Sequence, residues 1–169
     1  MQLVHHNTQF SRQIHDIILL CDQVNSPANI GSIFRIADSF GVSKIIFGNV
    51  FVDVNSARLK RTARATQNRI DYQDEADLKL ELSQLKNQGY QSFALEITDQ
   101  SQSITKFQFP KTKIALIIGE ERHGVQQDLL NLCDAHIHIN MFGNNSSMNV
   151  AQATAIALYE ITKQITNYG

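Results

Sequence analysis

Residues 14–22 read IHDIILLCD, a five-residue apolar core bounded by polar groups. A run this short is a poor helix but a good strand buried on both faces. It is followed by NIGSIFRIADSFG (29–41), with helical periodicity closing at Gly41, and by KIIFGNV (44–50), a second strand. The same alternation continues to the end of the chain. DEADLKLELSQLKNQGY (74–90) sets Leu78, Leu82 and Leu85 at helical spacing; QSFALEI (91–97) and KIALIIG (113–119) read as strands. QQDLLNLC (126–133) is a short helix, AHIHI (135–139) a strand and MNVAQATAIALYEITKQIT (148–166) a long helix. Strands separated by helices predict an α/β protein, a parallel sheet covered on both faces. Its ligands are expected at the carboxyl ends of the strands.

At 169 residues the chain is long enough for one sizeable core, so a single domain over 1–169 is expected. Its longest apolar runs fall far short of membrane-spanning length, and the first residues do not resemble a signal peptide. Two cysteines, Cys21 and Cys133, give no disulfide framework; a cytoplasmic location without membrane contact is expected.

A net charge of −1 argues against coating nucleic acid by bulk electrostatics. The distribution differs: Arg58, Lys60, Arg61, Arg64 and Arg69 place five of the fifteen basic residues in a segment without Asp or Glu. If that segment is helical, Arg58, Arg61 and Arg64 share one face, which is either a phosphate-contacting surface or a solvated one.

Three loops at predicted strand ends carry unusual chemistry. In DQVNSPANIGSIFR (22–35), Asn29 is placed to cap a helix, Gly31 permits close approach and Arg35 lies among apolar neighbours. No G-x-G-x-x-G dinucleotide fingerprint is present. GEERHGV (119–125) crowds Glu120, Glu121, Arg122 and His123 between two glycines, suiting a partly cationic ligand or an ordinary charged turn. INMFGNNSSMNV (139–150) gathers short hydrogen-bonding side chains that either bind a polar ligand or make turns and caps. Cys133, His136 and His138 lack a fourth ligand at a recognisable spacing, so no metal is expected.

Taken in order, NIGSIFR (29–35), GEERHG (119–124) and INMFGNNSSMNV (139–150) resemble the three motifs of the SpoU (TrmH-like) branch of the SPOUT RNA methyltransferases. The similarity runs from about residue 15 to 160. It implies an α/β domain with a C-terminal deep trefoil knot, S-adenosyl-L-methionine as cofactor and transfer of its methyl group to a ribose 2′-hydroxyl. It further implies Arg35, Asn29, Glu121, Ser147 and Asn149 at the catalytic centre, and Gly119, Ile139, Met141, Ser147 and Met148 around the cofactor.

Arg35 corresponds to the family's catalytic arginine, but a guanidinium is a donor only. It suits gripping a phosphate and stabilising a developing alkoxide better than taking a proton. The resemblance also implies a homodimer, with Arg35 serving either its own or the partner's site. Val150, Ala153, Thr154, Ala157, Leu158 and Ile161 form a stripe suited to that interface or to the chain's own core. Arg58, Lys60, Arg61 and Arg64 become the RNA-contacting surface. Asn140 stands where the family commonly has Pro, and Met148 where Leu is usual.

The chain shows no separate RNA-binding domain, which favours tRNA as substrate, with rRNA the alternative. A non-catalytic RNA-binding module and a nucleotide-binding protein using another cofactor are the competing classes.

Overall fold

The computed structural model describes residues 1–8 and 10–166. Its first unit is β1 (His15–Asp22), α1 (Pro27–Ser39) and β2 (Val42–Gly48), followed by α2 (Ala57–Ala63) and β3 (Asp71–Ala76). Then come α3 (Leu78–Asn87), β4 (Gln91–Leu95), β5 (Gln102–Ser103) and β6 (Ile114–Gly119). α4 (Gln127–Leu132), β7 (Ala135–His138) and α5 (Val150–Thr166) complete the order. All strand pairings are parallel, in the order β3-β2-β1-β6-β4-β7-β5. The expected parallel α/β fold is present, with β1 and β6 at the centre.

Side-chain alternation sorts the central strands between two faces. Ile17, Leu19 and Cys21 join the cluster that α1, α2 and α5 cover, whereas Ile18 and Leu20 pack with Leu82 and Leu85 of α3 and Leu129 of α4. Each fully buried Leu or Ile is worth roughly 1.5–3 kcal/mol relative to exposure. These apolar runs are the reason two helical layers stay bound to the sheet. Among the described residues no helix is long and apolar enough to cross a membrane.

Three boundaries differ from the sequence expectation. Residues 71–76 (DYQDEA) form strand β3, where the expected helix begins at Asp74. β3 is an edge strand bonded only to β2, so its outward groups meet water and acidic residues are tolerated. α3 starts only after Asp77, whose side chain accepts hydrogen bonds from the Lys79 and Leu80 amides. Two-residue β5, on the opposite edge, carries no sequence signal at all.

The basic segment also departs from the expected single face. α2 ends at Ala63, and Arg64 and Ala65 both take left-handed backbone, φ 53° and 68°. Arg58 and Arg61 therefore lie within the helix, whereas Arg64 is the left-handed residue that caps it. All of Arg58, Lys60, Arg61, Arg64 and Arg69 are exposed. Gly31 explains how α2 sits so close to α1: a Cβ there would stand 2.3 Å from the Leu59 carbonyl oxygen. The close approach is to α2 backbone and not to a ligand.

Candidate functional site

The loop after β1 begins helix α1 earlier than expected. Ser26 occupies the cap position with extended backbone and Pro27 opens the helix, where its missing N–H costs nothing. Asn29, read as a cap, lies instead inside the first turn. Its side chain is thereby released to reach across the sheet's carboxyl edge. Asn29 Nδ2 donates to Glu121 Oε1 at 3.2 Å, and Asn149 Nδ2 donates both to Asn29 Oδ1 at 3.0 Å and to Glu121 Oε1 at 2.9 Å. Residues 120 positions apart are joined at one point.

The valences at this junction are unequally used. Asn149 spends both amide hydrogens there, while its Oδ1 accepts from the Ala151 and Gln152 amides at 2.9 and 3.2 Å, capping α5. It is saturated. Glu121 Oε1 takes two donors, leaving Oε2 as the open acceptor, and Asn29 keeps one N–H.

Its neighbour Glu120 does different work. Glu120 Oε1 accepts from the His123 amide and ring Nδ1, and Oε2 from the Arg122 amide. The Arg122 amide is the main reason its carboxyl lies below the usual carboxylate range, partly offset by desolvation and helped by His123. Glu120 braces the turn and Glu121 faces outward from it.

Asp22, at the end of β1, ties the same loop from below. It is only 1% exposed, accepts from the Gln126 amide at 2.8 Å, and receives the Glu120 amide on its backbone oxygen. Burial raises its carboxyl above the usual range; the Gln126 bond opposes this and the Glu120 charge adds to it.

Beside this junction a cleft of about 290 Å³ opens at the carboxyl ends of β4, β6 and β7. Gly119, Ile139, Met141, Ser147 and Met148 all line it. Ile118 and Leu95 supply further apolar wall, and Glu96, Glu120 and Glu121 bring three carboxylates against Arg122 and His123. An apolar slot rimmed by carboxylates fits a nucleoside joined to a cationic group. Asn140 Oδ1 accepts from Ser103 Oγ, so a side-chain tie to β5 anchors the strand end where a proline's rigidity is absent. Ser147 is exposed and hydrogen-bonds Asn145 Oδ1 through its amide and hydroxyl.

Arg35 does not join the group. Six residues on from Asn29, it is rotated about 240° around the helix and displaced about 9 Å along it. Its side chain is exposed, and no carboxylate among the described residues pairs with it.

The other sequence candidates are accounted for by packing. Cys21 is fully buried, which raises its thiol, and the adjacent Asp22 charge adds to this. Burial likewise pushes Cys133 up to about 12, so neither is a thiolate at neutral pH. His136 Nε2 donates to the Leu130 carbonyl at 2.9 Å, which leaves its Nδ1 to accept from Thr98 Oγ1 at 2.9 Å. On α5, Val150, Thr154, Ala157, Leu158 and Ile161 are buried in the chain's own core, while Ile156 and Tyr159 are exposed. Glu96 is the charged cleft residue that the sequence does not single out; its only signal is a lone acid at the end of the strand QSFALEI.

Fold and site together define a parallel α/β protein with a nucleoside-sized cleft where three separate loops meet. Residues 16–159 match the SpoU rRNA methylase family, and the chain belongs to that family. It is 27% identical to a tRNA (guanosine(18)-2′-O)-methyltransferase of Escherichia coli K12, over 94% of this chain and 68% of that protein. An AdoMet-bound rRNA methyltransferase from Sinorhizobium meliloti superposes with a TM-score of 0.80 at 26% identity, covering 92% of this chain and 58% of that one. A structure concerned with 2-OH methylation of C/U34 on tRNA has a TM-score of 0.79 at 25% identity, covering 90% of this chain and 98% of that one.

Proposed function

We propose that the protein is an S-adenosylmethionine-dependent RNA methyltransferase acting on a ribose 2′-hydroxyl, with tRNA as substrate. The observation that carries this is the junction of Asn29, Glu121 and Asn149 beside the cleft, which puts all three family motifs at one edge of the sheet. The cofactor supplies an electrophilic methyl carbon on a positively charged sulfur. Gly119, Ile139 and Met148 would hold its adenosine part, and Met141 and Ser147 would flank it in the same cleft. Glu121 Oε2, the open acceptor, would take the hydrogen bond of the substrate's ribose 2′-hydroxyl, hold it in one orientation and receive its proton. Asn29 and Asn149 fix that carboxylate, Asn149 as a positioning residue.

Arg35 serves the cleft of a second copy in a homodimer. Its exposure on α1, and the exposed Ile156 and Tyr159 on the adjoining α5, support this arrangement. There it grips a substrate phosphate and stabilises the developing alkoxide. Arg58, Lys60, Arg61 and Arg64 hold flanking phosphates. The C-terminal segment threads a trefoil knot: the chain after β7 runs along the cleft past Ser147, meets Asn29 through Asn149, and delivers α5 against α1. The reaction takes place in the cytoplasm.

The tRNA reading draws on the likeness to the C/U34 structure and on the E. coli relative. The AdoMet-bound rRNA methyltransferase makes rRNA the second substrate class. Incubation with labelled S-adenosylmethionine and separately purified tRNA and rRNA, followed by mapping of the labelled ribose, tests both. Label in tRNA is expected, and label in neither pool overturns the enzyme assignment. Mixing Arg35→Ala with Glu121→Gln protein tests the dimer: restored activity is expected from hybrid pairs, and a mixture as inactive as its parents rejects a shared site.

A further inference from the structure

Glu96 stands just beyond β4, the strand between β6 and β7. The adenosine contacts proposed above come from the ends of those two flanking strands, at Gly119 and Ile139. The junction of Asn29 with Glu121 involves α1, which follows β1, and β1 lies on the other side of β6 from β4. On the proposed reading, Glu96 therefore falls on the adenosine side of the cleft.

Its carboxylate is held in one orientation. Oε1 accepts from the Ile97 amide at 3.0 Å and Oε2 from the Val125 amide at 3.0 Å, one donor on each oxygen. A carboxylate has about four acceptor positions, so each oxygen keeps one. Room for this placement is made at Gly124, where a Cβ would come within 2.2 Å of Oε2, and where φ is +67°. No Lys, Arg or His among the described residues pairs with Glu96. A fixed carboxylate without an ion-pair partner, lining a cleft, is an arrangement awaiting donors.

The nucleoside offers two adjacent hydroxyl donors, the 2′ and 3′ positions of its ribose, and one carboxylate spans such a pair. Acidic residues at strand ends serve this purpose in other parallel α/β nucleotide sites. We propose that Glu96 binds the ribose diol of the cofactor, which rests on the S-adenosylmethionine reading above.

Calorimetry tests this without turnover. Wild-type protein and Glu96→Gln are each titrated with S-adenosylhomocysteine and with its 2′,3′-dideoxy analogue. Wild type is expected to bind the analogue about 10- to 100-fold more weakly. Glu96→Gln should discriminate between the two ligands several-fold less, because the charge that favours the diol is gone. Equal binding of both ligands by wild type overturns the proposal, as does undiminished discrimination by the variant. Equal weakening of both ligands in the variant also overturns it, since that marks Glu96 as a brace for Val125 only. No binding of S-adenosylhomocysteine by wild type overturns the cofactor reading itself.

Discussion

Two polar clusters sit at the carboxyl edge of the sheet, and they differ in what remains unpaired. Around Thr98, His136 Nε2–H goes to Leu130, Thr98 Oγ1 supplies His136 Nδ1, and Ser101 Oγ donates to the Thr98 carbonyl. His138 Nδ1 then donates to Ser101 Oγ, leaving one ring nitrogen, Nε2, as the only open position on either ring. Around Glu121, by contrast, a saturated Asn149 and a nearly saturated Asn29 converge on a carboxylate with a whole oxygen to spare. A closed network stabilises loops; a network closed on one side only presents what it leaves open.

Glu121→Gln is the sharpest way to break that contrast. Its amide oxygen can still take Asn29 and Asn149, which puts a donor where Oε2 was an acceptor. Turnover is expected to fall about 100-fold or more, with stability within about 0.5 kcal/mol, in parallel methyl-transfer and denaturant measurements. Unchanged turnover would mean the open oxygen is idle. His136→Ala should do the reverse. It strands the Leu130 carbonyl and the Thr98 hydroxyl, costing about 1–3 kcal/mol in denaturant unfolding, with kcat unaltered in the folded fraction.

A third surface lies outside both clusters and tests whether binding separates from chemistry. Arg58→Ala combined with Arg61→Ala should raise KM for RNA about tenfold, leave kcat alone and reduce the salt slope of binding by about 2. The smallest effect concerns pH. Asp134 accepts from the Ser92 amide and hydroxyl and pairs with Lys86. Burial by itself would raise its carboxyl, but these partners bring it below the ordinary 3.8. Its contribution is therefore complete above that value and lost as pH falls through the lowered range. Asp134 is exposed to solvent, so Asp134→Asn should cost about 0.5 kcal/mol near neutral pH, fading in acid. Asp22 has the opposite sign: its raised carboxyl makes stability fall as pH climbs past 3.8, and Asp22→Asn should flatten that slope in pH-dependent unfolding.

Legibility in the sequence followed the number of partners a residue needs. The runs at 17–21 and 114–118 are buried on both faces by their own composition, so β1 and β6 were plain. β3 was hidden because an edge strand needs only one bonded neighbour and tolerates DYQDEA. The start of α1 is legible in Ser26-Pro27, a cap followed by a first-turn proline, but the cap preference of Asn29 suggests a start two residues later. That error concealed its availability to Glu121. The end of α2 before Arg64 is not legible, because the left-handed turn at Arg64 and Ala65 carries no glycine to announce it. Glu96 depends on Val125 and Gly124, nearly thirty positions away, and no local pattern predicts such a meeting.

The bond between Asn29 and Asn149 also carries a consequence for biosynthesis. At ribosomal speeds of about 5–20 residues per second, Asn29 is made roughly 6–24 seconds before the partner 120 positions downstream. The strands β1 and β2 can pair on the nascent chain, and Asn29 can meet Glu121 once residue 121 is made, whereas the two bonds donated by Asn149 must wait for translation to pass residue 149. A chain stopped before residue 149 lacks both that latch and the α5 residues that cover one face of the sheet.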